Sequence, residues 1–288
     1  MPPGLFYPNL QSRQWMRQII QQRIRRQYLD QSSAGIIRPM DTLLNFSNQE
    51  LFFTALVFIW TGFVRSGLGF GGAALGLPLM LFIYDQPLYW LPMIGIHLLF
   101  FSGMTLGSRI HQIDHAYLKK SILLIVPFTL VGVFGLIQLP TQWLVNFIYA
   151  VTLFYAVLWI LGLNVRSNNI WIDRFLLSLG GYVAGTSLTG APLIVAVFMR
   201  NVTAQLLRNT LFVLWFIIVS IKMTAFVVLG IELNWMAAGV LIPIAAVGHV
   251  IGLKTHEYIL QNDAVFKRIT GLVLFVISAL GLLSANTV

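Results

Sequence analysis

From Leu51 to Ser284 the chain is a succession of apolar runs separated by short polar links. The runs lie at roughly 51–66, 73–84, 90–107, 120–139 and 142–163. After the polar stretch NVRSNN at 164–169 they resume at roughly 171–187, 191–199, 209–230, 235–253 and 266–284. As helices, runs of about 18–22 residues reach across the ~30 Å hydrocarbon core of a bilayer. In lipid the backbone has no water to bond, so a spanning segment of this length must satisfy its own N–H and C=O groups as α-helix. Only 9% of the residues are charged and 58% are hydrophobic, where a soluble domain carries about 25% charge. The fold class expected is therefore an all-α polytopic membrane protein. Cysteine is absent, which removes disulfides and thiolate metal sites.

Two of the runs on each side of the midpoint are interrupted by glycine-rich sequence. RSGLGFGGAALGLP at 65–78 and GGYVAGTSLTGAP at 180–192 can be laid on each other. Gly67, Gly71, Gly76 and Pro78 then fall on Gly181, Gly185, Gly190 and Pro192, each 114 residues apart (181−67, 185−71, 190−76, 192−78). A constant offset points to two homologous halves, residues 51–163 and 171–288, joined by a link at 164–170. Glycine and proline interrupt helices, and 73–84 and 191–199 are too short to cross alone. Each half is expected to hold a Gly-rich broken helix or re-entrant hairpin plus three spanning helices. The links differ in charge: Arg109, Lys119 and Lys120 accompany Asp114 in the first half, and Glu232 stands alone in the second. Basic links favour the cytoplasm, so the halves are expected as inverted repeats. A hairpin in the first half would set the basic tail outside, against the same tendency, and the side of the N-terminus stays open.

Residues 1–50 carry Arg13, Arg17, Arg23, Arg25, Arg26 and Arg38, with Trp15, Ile19, Ile20, Ile24 and Tyr28 near helical spacing. That pattern suits an amphipathic helix on the membrane surface. The first apolar core begins too late for a signal peptide. The net charge of +9 is read as topology signalling and contact with anionic lipid, and nucleic-acid binding is not expected.

A glycine-rich break inside a membrane frees backbone N–H groups and helix N-termini, which suit anions. In the first break the candidates for substrate binding are Gly69, Gly71 and Gly72 beside Arg65. In the second they are Gly185, Thr186, Ser187, Thr189 and Gly190, whose hydroxyls can donate to oxyanion oxygens. Lys222 lies mid-segment, where an ammonium costs at least ~2.5–3.5 kcal/mol on insertion scales and should face a cavity or a partner. Arg208, Asn209 and Thr210 open the same segment. His97 and His249 sit inside spans and can carry protons near neutral pH. These five are accessory candidates, with helix–helix contact as the plainer role of the histidines and close packing as that of the glycines. No catalytic residue, metal site or cofactor is expected. Ser187 and His249 could in principle make a nucleophile–base pair, but no flanking signature accompanies Gly-x-Ser here. No P-loop pattern for ATP is present.

With these residues in view, the chain resembles the sulfite exporter TauE/SafE family of bacterial membrane proteins over roughly residues 51–286. GLGFGGAALGLPLM at 67–80 is similar to the family's first glycine-rich segment, and GYVAGTSLTGAPLI at 181–194 is more loosely similar to the second. The family's triple glycine is shortened here to Gly71-Gly72-Ala73, and Thr186-Ser187 replaces part of the second glycine run. The resemblance implies a multi-pass protein of the bacterial inner membrane that transports a small anion such as sulfite or an organosulfonate. The expected mechanism is alternating access around a midplane site between the two breaks, with Arg65 and Lys222 supplying charge. An anion channel and an intramembrane hydrolase are the alternatives. The partners expected are the small anion and the lipid bilayer, with a homo-oligomer left open.

Overall fold

The computed structural model describes residues 43–107, 112–163 and 169–286. The amphipathic helix expected in the N-terminal tail, residues 164–168 of the link at 164–170, and Arg109 and His111 lie outside them. Among the described residues the chain is helical, with no strand. In order the helices are α1 (Asn48–Leu68), α2 (Gly72–Ile83), α3 (Pro87–Leu106), α4 (His115–Gln138), α5 (Thr141–Ile160), α6 (Ile170–Ser187), α7 (Ala191–Asn201), α8 (Ala204–Val228), α9 (Trp235–Gln261) and α10 (Asp263–Ala285). Seven of them, α1, α3, α4, α5, α8, α9 and α10, are long and apolar enough to cross a membrane.

Helix starts follow local chemistry. Ser47 accepts from the Glu50 N–H, and the Glu50 carboxylate accepts from the Ser47 N–H at 2.7 Å, a reciprocal cap. Asp114 caps α4 through Tyr117 N–H at 2.9 Å, and Asn169 caps α6 through Trp171 N–H at 2.9 Å. The Ser47 cap corrects one expectation. α1 does not begin with the apolar run but three residues earlier, and at 21 residues it is no short half-helix.

Both glycine-rich breaks turn the chain back on itself. Gly69 closes α1 at φ 81° and Gly71 opens α2 at φ 85°, left-handed conformations that a side chain resists. α2 then runs antiparallel to α1: the Trp60 indole donates to Leu75 O at 3.3 Å, and Gly76 sits against Thr61. In the second hairpin Leu188 itself takes the left-handed position, at φ 60°. α7 returns along α6, so that the Arg200 guanidinium pairs with Asp173 at the base of the hairpin. The helix ends therefore coincide 119 residues apart (188−69 for the C-caps, 190−71 for the N-caps). The 114-residue pairing of the glycines is a different register: it sets Gly71, an N-cap, against Gly185, which lies inside α6.

Each hairpin's first helix packs on a span from the other half, α1 on α9 and α6 on α4, while α5 lies on α10 and α3 on α8. Glycines bring backbones together at the first two crossings. A Cβ on Gly62 would strike Ala245 O, one on Gly248 would strike Ile59 O, and one on Gly252 would strike Phe63 O. At the second crossing Gly181 meets Ile125 O, Gly185 meets Thr129 O and Gly132 meets Tyr182 O. Small residues at membrane helix contacts permit this approach, where dispersion rather than hydrophobic burial holds helices together.

Candidate functional site

Arg65 lies in the last turn of α1 and is 5% exposed. An ion in the interior of a membrane protein needs a partner or a cavity. Its Nη1 donates to His97 O at 3.2 Å, and its guanidinium carbon stands 4.1 Å from the centre of the Phe101 ring. Among the described residues the ion pairs are Arg200–Asp173 and Lys267–Asp263, so no carboxylate answers Arg65. Its Nε and Nη2 are buried and without a hydrogen-bond partner. These two nitrogens form one edge of the planar fork, the edge that meets two oxygens of an oxyanion side by side.

Beside Arg65 is a small, partly open cavity with room for about one water-sized molecule. It is walled by Thr61 and Phe58 of α1, Gly72 and Ala73 of α2, and Ile94, His97 and Leu98 of α3. Gly72 is the first residue of α2, and its N-cap Gly71 supplies no side-chain hydrogen bond. The opening turn of a helix left uncapped by a side chain directs N–H groups and the positive end of the dipole outward. A Cβ on Gly72 would lie 3.1 Å from both Arg65 Cβ and Thr61 O, so glycine is what lets α2 begin so close to the arginine.

His97 belongs to the same wall. Its Nε2 is 2.8 Å from Ala238 O, and since a carbonyl only accepts, Nε2 carries the hydrogen. His249 packs against Phe101, with ring centres 4.8 Å apart, and its backbone oxygen accepts from Ser66 Oγ at 2.9 Å. It does not line the cavity.

The second break is arranged differently. The Lys222 ammonium is fully buried and donates to Gly185 O at 2.7 Å and Thr186 O at 3.0 Å, the carbonyls at the end of α6. A cation there complements the negative end of the helix dipole and satisfies acceptors that the helix leaves open. Thr186 Oγ1 donates to Gly132 O or Tyr182 O, Ser187 Oγ lies 3.1 Å from Val183 O, and Ser187 and Thr189 share a hydrogen bond of 2.6 Å. Gly190 packs on Gly180 O. None of these residues lines the cavity at Arg65, which draws only on α1, α2 and α3. Of the expected binding residues the structure brings together Arg65 and Gly72, with the accessory candidate His97 beside them. It places Gly185, Thr186, Ser187, Thr189, Gly190 and Lys222 in a separate, internally bonded cluster.

The accessory group at the start of α8 stands at the outer side of the first turn. Arg208 Cγ would be 2.7 Å from a Cβ on Gly69. Asn209 Nδ2 donates to Gln112 Oε1 at 3.2 Å, and Thr210 Oγ1 accepts from Asp114 N–H at 3.0 Å. No hydrogen bond joins Ser187 to His249, and the Ser187 hydroxyl is spent on its own hairpin. Thr61, Phe58 and Phe101 were not anticipated. Phe58, Thr61 and Arg65 recur at i, i+3 and i+7, one face of a helix, a spacing that would have found the first two. Nothing in the spacing marks Phe101.

The helices and their apolar surfaces define a multi-pass membrane protein. The family description "Sulfite exporter TauE/SafE" matches residues 54–280, and the chain belongs to this family. Its members are transporters rather than enzymes, so membership implies a membrane transporter of sulfite-type anions. No curated protein and no solved structure matches the chain.

Proposed function

We propose that this protein is a secondary transporter, working as an exporter of sulfite or a small organosulfonate from the bacterial inner membrane, and that the anion binds in the cavity of the first half. The observation that carries this is the unpartnered Nε/Nη2 edge of a buried Arg65 with no carboxylate partner. A cation buried without a counter-ion is costly, and an oxyanion supplies both the missing charge and two acceptors. The opening N–H groups of α2 stand on the same cavity through Gly72 and Ala73. Lys222, in this reading, is a clamp on the second hairpin rather than a ligand. Alternating access would move the two hairpins, and the exchanged pairing of α1 with α9 and α6 with α4 supports two related halves. The test is efflux of labelled sulfite from vesicles reconstituted with wild type and Arg65→Gln. Saturable flux that Arg65→Gln abolishes at equal protein supports the reading; undiminished flux refutes it. Current without saturable exchange would make the protein a channel.

A further inference from the structure

His97 shares the cavity with Arg65 but has no role in the site so far beyond its backbone oxygen. Its imidazole is buried between Phe58, whose ring centre is 4.9 Å away at 67°, and Phe101 at 6.3 Å and 68°. Nε2–H is committed to Ala238 O, which leaves Nδ1 with a lone pair, and Nδ1 is buried with no partner. Imidazole is the side chain whose charge changes most readily near neutral pH.

On the premise that the anion sits at Arg65, we infer that His97 Nδ1 is the binding site of a proton that enters with a doubly charged anion. The charges around His97 account for this. Arg65 on α1 contributes one positive charge. α2 carries no titratable group, and α8 carries Lys222, held by the α6 carbonyls, and Arg208 at its start. α9 carries His249 against Phe101 and, toward its end, Lys254, His256, Glu257 and Tyr258; α5 carries Tyr149 and Tyr155, α3 itself Tyr89, and Glu50 starts α1. With the cavity empty, a proton on His97 would place a second cation beside Arg65 in a poorly solvated interior. A singly charged anion cancels Arg65 and leaves His97 neutral. A doubly charged anion leaves an excess negative charge, and transfer of a proton from water to the Nδ1 lone pair restores neutrality. The complex that crosses is then electrically balanced: Arg65, dianion and proton.

Proton uptake on binding tests this in purified protein, by titration calorimetry in two buffers of different ionisation enthalpy. The pH is about 8.5, roughly two units above the ordinary imidazole value of about 6.5, where sulfite is a dianion. Methanesulfonate serves as the singly charged probe. Wild type and His249→Gln should take up close to one proton per sulfite bound and close to none per methanesulfonate. His97→Gln should lose the sulfite-linked proton and, relative to its methanesulfonate affinity, bind sulfite roughly tenfold or more weakly at this pH. Equal proton uptake by His97→Gln refutes the assignment, because the protein would then be selecting the protonated form of sulfite without help from His97. So does loss of uptake in His249→Gln with retention in His97→Gln. Anion binding that depends on Arg65 but takes up no proton refutes the role of His97 alone. Failure of wild type to bind either anion refutes the anion site and the proton site together.

Discussion

The contact between α1 and α9 permits a sharp test, because two glycines of one helix differ only in what surrounds them. On α9, a Cβ at Gly248 would overlap Ile59 O and lie 2.7 Å from Ile59 C and 2.9 Å from Phe63 N. All three are backbone atoms and cannot rotate aside. Restoring ordinary contact requires the helices to part by roughly 1 Å, and a gap of about 0.5–1 Å forfeits a quarter to a half of the dispersion well along the seam. Overpacking of this kind costs about 1–3 kcal/mol. A Cβ at Gly239 meets nothing within 4 Å, and glycine in a helix is about 0.5–1 kcal/mol worse than alanine. Gly248→Ala should therefore lower the thermal midpoint of the detergent-solubilised protein by about 2–12 °C, at about 2–4 °C per kcal/mol. Gly239→Ala should leave it unchanged or raise it slightly. The assay is a fluorescence melt of both variants with wild type in one detergent. If Gly248→Ala melts with Gly239→Ala, the two backbones are not in contact and the account of α1–α9 packing fails.

Three further outcomes follow from the site. Arg65→Lys keeps the charge but loses the two-nitrogen edge; a charge-assisted hydrogen bond is worth about 1.5–3 kcal/mol, so sulfite affinity by calorimetry should fall roughly 10- to 100-fold, and unchanged affinity would show that charge alone suffices. Lys222→Met strips donors from Gly185 O and Thr186 O at about 1–3 kcal/mol each, against relief of a burial cost of ~2.5–3.5 kcal/mol. Its melt should shift little and its sulfite affinity stay within about threefold of wild type on this balance, whereas a loss of affinity near that of Arg65→Gln would put Lys222 at the anion. Asp173→Asn removes an ion pair whose side chains are each 20% exposed; such pairs contribute about 0–1 kcal/mol, so its melt should fall by at most a few degrees, and a larger drop would make the base of the second hairpin a keystone of the fold.

Most of the architecture was legible because the bilayer imposes it: apolar length names the spans, and paired glycine-rich interruptions name the hairpins. The register between the hairpins was not. Glycines serve two purposes here, turning the chain at Gly69 and Gly71 and admitting a neighbouring backbone at Gly62, Gly181 and Gly185. Matching glycine to glycine mixes the two, and Leu188 hides the second turn by adopting a conformation usually left to glycine. Arg65 and His97 were legible as polar residues inside membrane segments, and Gly72 as part of a glycine-rich break. The role of Lys222 was not, since its partners are carbonyls, which every residue has and no side chain advertises.

The exchange of partners between the halves also sets a timetable for biogenesis. α1 leaves the ribosome early, yet the surface that fits it, Ala245 to Gly252, is made about 183 residues later (245−62). At about 5–20 residues per second, translation takes roughly 10–40 s to cover that distance. Throughout that interval the first hairpin waits in the membrane with its glycine seam facing lipid or the insertion machinery, although α3, which holds Arg65, follows it directly. The first half thus cannot finish folding as it emerges, and its maturation is tied to the arrival of α9.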